Sequence, residues 1–330
     1  MPNPLLKTEN ISKIFEVGSM FGAKKHIKAV ENVSIEIGEN EILALVGESG
    51  CGKSTLGKLM LALLRQDSGR ILYYLNNGYK DIWSLKGEEF KEYRRNAQLI
   101  PQDPYTTINP MRNVLSALTP PLLHYKIAKD RKEARKMAAE LLTMVGLVPP
   151  EDFFKRYSCR LSGGQLQRIA IARAISVKPK FIVADEAVSM LDASLRIEIL
   201  DLLLNLKKKI KTAYLFITHD LAIARYFARD QRIAIMYLGN IVEIGKTEEI
   251  IQNPLHPYTK VLLMSVPIPD PKIARSRGLP KLKSLEIPSL VNPPPGCKFH
   301  TRCPYAEKIC EEKVPELREV KGRLVACHLL

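Results

Sequence analysis

No apolar run in this 330-residue chain approaches the ~20 residues needed to cross a bilayer. The N-terminus also lacks the charged-then-apolar pattern of a secretory leader, so the sequence predicts a chain that stays in the cytoplasm. Acidic residues are the scarcer charge, 35 against 50 basic, for a net charge of +15. Such an excess favours nucleotides, nucleic acid or anionic membrane surfaces. No sequence-reading motif accompanies it, which makes direct nucleic-acid recognition a poor expectation, and most of the lysines read as solvated. Cysteine is sparse except in one place. Cys51 and Cys159 stand singly, whereas Cys297, Cys303, Cys310 and Cys327 crowd the last 34 residues. In a cytoplasmic protein such a cluster points to metal rather than to disulfides.

What is present is a globular composition, 46% hydrophobic, in a chain long enough for two or three compact units. Its most specific segment is Gly47-Glu48-Ser49-Gly50-Cys51-Gly52-Lys53-Ser54, which fits G-x-x-x-x-G-K-[ST] at every fixed position. The apolar run Glu41–Val46 before it reads as a buried parallel strand, and Thr55–Leu64 after it as a helix. The glycines allow backbone N–H groups to turn onto phosphate oxygens, and the helix N-terminus adds partial positive charge. Lys53 is expected at the β- and γ-phosphates and Ser54 on Mg²⁺. Gly47, Ser49, Gly50, Gly52, Lys53, Ser54 and Thr55 form the candidate ATP-binding set.

The rest of the chain alternates short strands and helices. Residues 1–46 alternate apolar and polar positions, as half-buried antiparallel strands do. Pro101, Pro104 and Pro110 predict a loop. Lys129–Val145 has helical apolar spacing, and Ser162 opens an alanine-rich helix. Phe181–Ala184 and Tyr214–Thr218 read as buried strands, and Leu195–Lys209 as a leucine-striped helix. Ile233–Ile244 looks like a hairpin turning at Gly239-Asn240. Beyond about Lys246 proline becomes dense (Pro267, Pro269, Pro271, Pro293–Pro295), and a tail wrapped in extended segments is expected rather than a second large core.

Further candidates follow the predicted strands. Asp185 and Glu186 end Phe181-Ile182-Val183-Ala184, at the edge where open α/β sheets place ligands. Asp185 suits an acid that supports Mg²⁺, and Glu186 one that polarises the attacking water. His219, after the strand at Tyr214–Thr218, could contact a γ-phosphate. Gln102, in the proline-bounded loop Ile100–Pro104, could sense metal or water. In Leu161-Ser162-Gly163-Gly164-Gln165, Ser162 is a plausible N-cap and the two glycines leave room for a phosphate. Spacing alone does not assign that phosphate to another subunit. Nor does spacing decide what the tail cysteines hold. Five residues separate Cys297 from Cys303 and six separate Cys303 from Cys310, against the two-to-four-residue gaps usual for zinc. An iron–sulfur cluster, Zn²⁺ and packed reduced thiols all stay open.

Taken together, these segments resemble the ATP-binding subunits of ABC transporters over nearly the whole chain. Gly47–Ser54 is similar to Walker A, Gln102 to the Q-loop, Leu161–Gln165 to the signature and Phe181–Glu186 to Walker B. Ser189–Asp192 is similar to the D-loop, His219 to the H-loop and Phe15 to the aromatic that stacks on adenine. The tail segments Asn253–Lys260, Val266–Pro271 and Gly296–Pro304 look like those of the oligopeptide/dipeptide importer ATPases, specifically the second, F-type subunit. The resemblance implies an α/β P-loop NTPase (RecA-like) core with an antiparallel β subdomain, a helical subdomain at about 104–177 and a Cys-rich extension. The expected domains are 1–245 (ATPase) and 246–330 (extension). It further implies ATP hydrolysis with Mg²⁺ held by Ser54, Gln102 and Asp185, and Glu186, His219 and Gln102 as the catalytic set. Ser162, Gly163, Gly164, Gln165 and Asp192 would serve the partner's ATP. A [4Fe–4S] cluster on Cys297, Cys303, Cys310 and Cys327 is implied, with Zn²⁺ the alternative. The expected partners are a paralogous ABC ATPase, two transmembrane permeases and an extracytoplasmic solute-binding protein. The expected location is the cytoplasmic face of the membrane, and the expected cargo di- or oligopeptides, with nickel or oligosaccharides as alternatives. A soluble ABC ATPase acting on nucleic acid or ribosomes usually carries two cassettes, and this chain has one. A phosphoryl-transfer kinase has no reason to keep a signature or a switch histidine. Two departures from the family pattern are Ala187 and Met190 near Walker B, and a third is Ser158-Cys159-Arg160 before the signature.

Overall fold

The structure, a computed structural model, describes residues 3–18, 24–75, 78–267, 270, 272, 276 and 281–330. Ile268, Pro269 and Pro271 of the tail motif lie outside the described residues. The alternating N-terminal segments form an antiparallel sheet from β1 (Leu6–Val17), β2 (Lys25–Val33), β3 (Glu36–Ile37), β5 (Ser68–Leu75) and β6 (Gly78–Asp81). Its order is β2-β1-β5-β6, with β3 on β1.

The second sheet contains β4 (Ile42–Val46), β7 (Ala97–Ile100), β8 (Phe181–Asp185), β9 (Ala213–Thr218), β10 (Arg232–Tyr237), β11 (Asn240–Lys246), β12 (Arg318–Val320) and β13 (Arg323–Val325), in the order β12-β13-β11-β10-β4-β9-β8-β7. Strands β10, β4, β9, β8 and β7 run parallel to one another, and β11 joins β10 antiparallel. Every residue of β4, β8 and β9 is buried, which is why these strands read as continuous apolar runs rather than alternations. Alternate side chains still diverge: Ile42, Ala44 and Val46 join one core while Leu43 and Leu45 join the other.

The phosphate-loop helix α1 (Lys53–Met60) starts two residues earlier than expected and stops at Leu61, before the left-handed Ala62. α2 (Gly87–Asn96) leads into β7. The proline-bounded region expected as loop carries α3 (Pro104–Thr107), because Pro104 occupies the first turn, where no N–H is needed, and Asp103 caps it. α4 (Val114–His124) contains Pro120 and Pro121 and was not expected. α5 (Arg131–Met144) is capped by Asp130, α6 (Glu151–Phe154) follows, and α7 (Gly163–Ile175) packs against α3, α4, α5 and β7. α8 (Ala193–Ile210) and α9 (Leu221–Phe227) flank β9 in sequence.

Two expectations need correction. The hairpin turns at Leu238-Gly239, not Gly239-Asn240; both turn residues have positive φ, at 41° and 85°, and Asn240 already pairs with Tyr237. The tail is not merely wrapped in extended segments. It forms α10 (Thr247–Gln252), α11 (Pro257–Met264) and the β12–β13 hairpin, and β13 pairs with β11. This pairing covers what would otherwise be a bare sheet edge. Tyr258, Phe299 and Cys303 then enter the same core as β8 and β9.

Candidate functional site

The phosphate loop joins β4 to α1 under tight steric limits. A Cβ on Gly47 would sit 2.1 Å from the Met236 carbonyl oxygen, and one on Gly52 2.0 Å from that of Ala29. Gly52 also holds φ at +108°, a conformation that side chains oppose. Gly50 has φ of +78° and Ser49 is exposed beside it, while Thr55 is half-buried in the first helical turn. Lys53 is buried, and its ammonium donates to the carbonyls of Gly47 at 2.8 Å and Glu48 at 2.9 Å. A cation is thus fixed inside the loop, where a phosphate's negative charge would be met.

The strand ends supply the remaining chemistry. Ser54 donates its hydroxyl to Asp185 Oδ1 at 2.8 Å, although 131 residues separate them. Burial pushes the Asp185 carboxyl up and the neighbouring Glu186 charge adds to this, whereas the Ser54 bond and the charges of Lys58 and Lys53 oppose it. An oxygen pair of this kind suits a hard cation such as Mg²⁺. Glu186 leaves β8 with φ of +45°, rare for a side-chain-bearing residue, while its N–H still donates to Ile217 at 3.0 Å. Gln102 Nε2 donates to Glu186 Oε2 at 3.0 Å, and His219 Nδ1 lies 3.2 Å from Glu186 Oε1. Two side chains from the ends of β7 and β9 therefore meet on the carboxylate that follows β8.

Ser162 caps α7, accepting from the Gln165 N–H, and the Gln165 side chain reaches back to the Ser162 N–H in a full capping box. Gly163 is half-buried and Gly164 buried, the latter with room limited by Leu195 at 3.2 Å. Among the described residues, no hydrogen bond joins Ser162–Gln165 to the loop at Gly47–Thr55. Asp192 is exposed and caps α8 through the Leu195 N–H, a bond that lowers its carboxyl pKa. Phe15 stands half-buried on β1, with the Lys13 ammonium 5.7 Å from its ring centre. Ala187 is buried and Met190 exposed, and Ser158–Arg160 forms one 3₁₀ turn.

The four tail cysteines are within electrostatic reach of one another. Burial, then the neighbouring thiols, pushes the Cys297 thiol up to about 11, and those of Cys303 and Cys327 also rise with burial. Cys297 donates its N–H to the Cys310 carbonyl at 2.8 Å. Among the described residues, however, no three His, Cys, Asp or Glu side chains are grouped closely enough to hold a metal ion.

Sequence reasoning missed two residues that touch the phosphate loop. Tyr258 Oη accepts the Glu48 N–H at 3.1 Å, and Arg302 Nη1 donates to both Glu48 carboxylate oxygens at 3.1 Å. Arg302 is 5% exposed, a burial that arginine reaches when paired, but nothing in a local pattern names a partner 254 residues away.

Phosphate loop, Ser54–Asp185 pair and the glutamate met by Gln102 and His219, set on a mostly parallel sheet, define an ABC-type ATPase. Residues 30–189 match the ABC transporter family, and residues 242–310 match the oligopeptide/dipeptide transporter C-terminal region. The chain is 41% identical over 333 residues to the oligopeptide transport ATP-binding protein AppF of Bacillus subtilis, covering 98% of this chain and 97% of the relative. It is 38% identical to the di/tripeptide transport ATP-binding protein DppF of Pseudomonas aeruginosa, covering 98% of this chain and 97% of the relative. The dimeric post-hydrolysis structure of the ATP-binding cassette MJ0796 bound to ADP and Pi superposes with a TM-score of 0.62 at 30% identity, over 73% of this chain and 98% of that one. The chain belongs to the oligopeptide/dipeptide transport ATP-binding family of ABC ATPases.

Proposed function

We propose that this subunit hydrolyses MgATP to drive import of di- or oligopeptides. The convergence of Gln102 and His219 on Glu186 is the observation that carries the reading, because it sets one carboxylate at the sheet edge where a water could be activated. The loop Gly47–Thr55 binds the triphosphate, with Lys53 countering the β/γ charge and Phe15 stacking on adenine. Ser54 and Asp185, with Gln102, hold Mg²⁺, which supplies charge neutralisation at the phosphoryl group. Glu186 takes the proton of the attacking water. His219 holds that carboxylate and reaches toward the γ-phosphate.

Ser162, Gly163, Gly164, Gln165 and Asp192 complete the ATP site of a paralogous partner subunit. Ser162 and Asp192 are exposed, and among the described residues neither is hydrogen-bonded to the chain's own phosphate loop, which supports this. Residues 1–245 act as the ATPase domain and 246–330 as an extension. Two permeases and an extracytoplasmic binding protein complete the transporter, with this chain peripheral at the cytoplasmic face. No described helix is long and apolar enough to cross a membrane. The names of the relatives support peptides as cargo. Ser162→Arg should leave MgATP binding to the isolated chain intact and abolish ATP-driven dimerisation with the partner ATPase. Loss of binding to the isolated chain would place the signature in its own site instead.

Cys297, Cys303, Cys310 and Cys327 hold a [4Fe–4S] cluster whose chemistry here is structural, tying down the extension. The backbone bond from Cys297 N–H to the Cys310 carbonyl, which brings two of the four cysteines together, supports it. Anaerobically purified protein should absorb broadly near ~400 nm with roughly four irons per chain. One zinc per colourless chain would keep the ligands and reject the cluster, and metal-free stable protein would reject both.

A further inference from the structure

Glu48 is the second residue of the phosphate loop and the one acid within it. A carboxylate in a loop that receives a polyanion is an electrostatic liability, and the fold disposes of it by a long-range contact. The Glu48 carbonyl is taken by Lys53 at 2.9 Å and its N–H by Tyr258 Oη at 3.1 Å. Its side chain, 24% exposed, meets Arg302 Nη1 at 3.1 Å from each oxygen. Both Arg302 and Tyr258 come from the extension, and they are 5% and 0% exposed.

Arg302 is itself held in place. Its Nη1 also donates to Tyr237 Oη at 3.4 Å, and its guanidinium lies 5.7 Å from the Phe299 ring centre and 5.8 Å from that of Tyr237. Tyr237, Tyr258 and Phe299 pack on one another with ring centres 4.5–5.4 Å apart. Tyr237 ends β10, whose Met236 carbonyl already crowds Gly47. The guanidinium therefore approaches Glu48 from a preorganised aromatic seat rather than as a mobile surface arm.

We propose that Arg302 and Tyr258 are positioning residues for ATP binding: Arg302 neutralises Glu48 and holds its carboxylate off the triphosphate, while Tyr258 fixes the Glu48 backbone. The extension thereby sets nucleotide affinity through the loop rather than by touching nucleotide. The inference rests on the reading of Gly47–Ser54 as the triphosphate site.

The test is MgATP and MgADP affinity of the full chain by calorimetry. Arg302→Gln frees an uncompensated carboxylate and should weaken MgATP binding on the order of tenfold to a hundredfold, and MgADP less, since it carries less charge. Adding Glu48→Gln removes that charge and should recover most of the lost affinity, which a merely structural role for Arg302 would not allow. Equal binding by wild type and Arg302→Gln overturns the proposal, as does a double variant no better than the single one. Should Arg302→Gln fail to fold, Arg302→Lys and Tyr258→Phe decide: the lysine variant keeps the positive charge and should bind MgATP more tightly than the phenylalanine variant, and the reverse order rejects the proposal. Wild-type chain that binds no MgATP rejects the phosphate-loop reading itself.

Discussion

The C-terminal edge of β7, β8 and β9 and the extension after β11 place side chains by different means. At the edge, Gln102, Glu186 and His219 follow their strands by one or two residues, so the ladder sets their spacing. In the extension, strands three residues long could not stand alone; pairing of β13 with β11 holds them, while Tyr258 and Phe299 pack into the core beside Tyr237. The groups proposed for catalysis are thus positioned locally, whereas the phosphate loop is secured from 210 and 254 residues away.

The sharpest way to break this comparison is at the edge itself. Glu186→Gln should keep MgATP binding and lower turnover of the assembled dimer by about 10²–10⁴, the usual weight of a general base. Near wild-type turnover would remove Glu186 from that role. The extension should respond through stability instead. Phe299 is 1% exposed and joins Tyr237 to Tyr258, so Phe299→Ala should cost about 3–5 kcal/mol in denaturant unfolding. A loss below ~1 kcal/mol would mean that the extension is not packed as part of the core.

A smaller effect should appear with acid. His256 is 1% exposed and caps α11, its Nδ1 accepting the Tyr258 N–H at 3.1 Å, while its backbone N–H donates to the Glu243 carboxylate at 3.0 Å. Burial, with Lys260 adding a smaller push, lowers its pKa to about 3. The folded chain resists protonation that the unfolded chain accepts below about 6.5, so this contribution is full above that pH and is lost as pH falls toward 3. His256→Asn keeps a capping oxygen without titrating. The variant should show a flatter fall of unfolding free energy between pH 6.5 and 4, and an unchanged slope would remove His256 as the cause.

Much of the edge was legible because its signals are short. The strand before Lys53, the acids ending β8 and the histidine ending β9 each sit within a few residues of an apolar run that reveals its own burial. α5 was legible because Ala134, Ala138, Leu141 and Leu142 keep helical period, and each is buried. α4 was not, since Pro120 and Pro121 argue locally against a helix; the packing of Val114, Ala117, Leu118 and Leu122 overrides them. The one-residue shift of the β10–β11 turn reflects Leu238, which adopts a left-handed φ that its side chain does not favour and sequence cannot announce.

By itself, the sequence determined the phosphate loop, the order of the strand-end acids, histidine and glutamine, and the capped glycine pair at Ser162, because each depends on neighbours a few residues away. Only the tertiary structure decided that Gln102 and His219 would share one carboxylate, that β13 would finish the sheet beside β11, and that Arg302 and Tyr258 would hold Glu48. Those contacts depend on where a distant segment comes to rest, and that is set by burial of whole faces at once rather than by any local pattern.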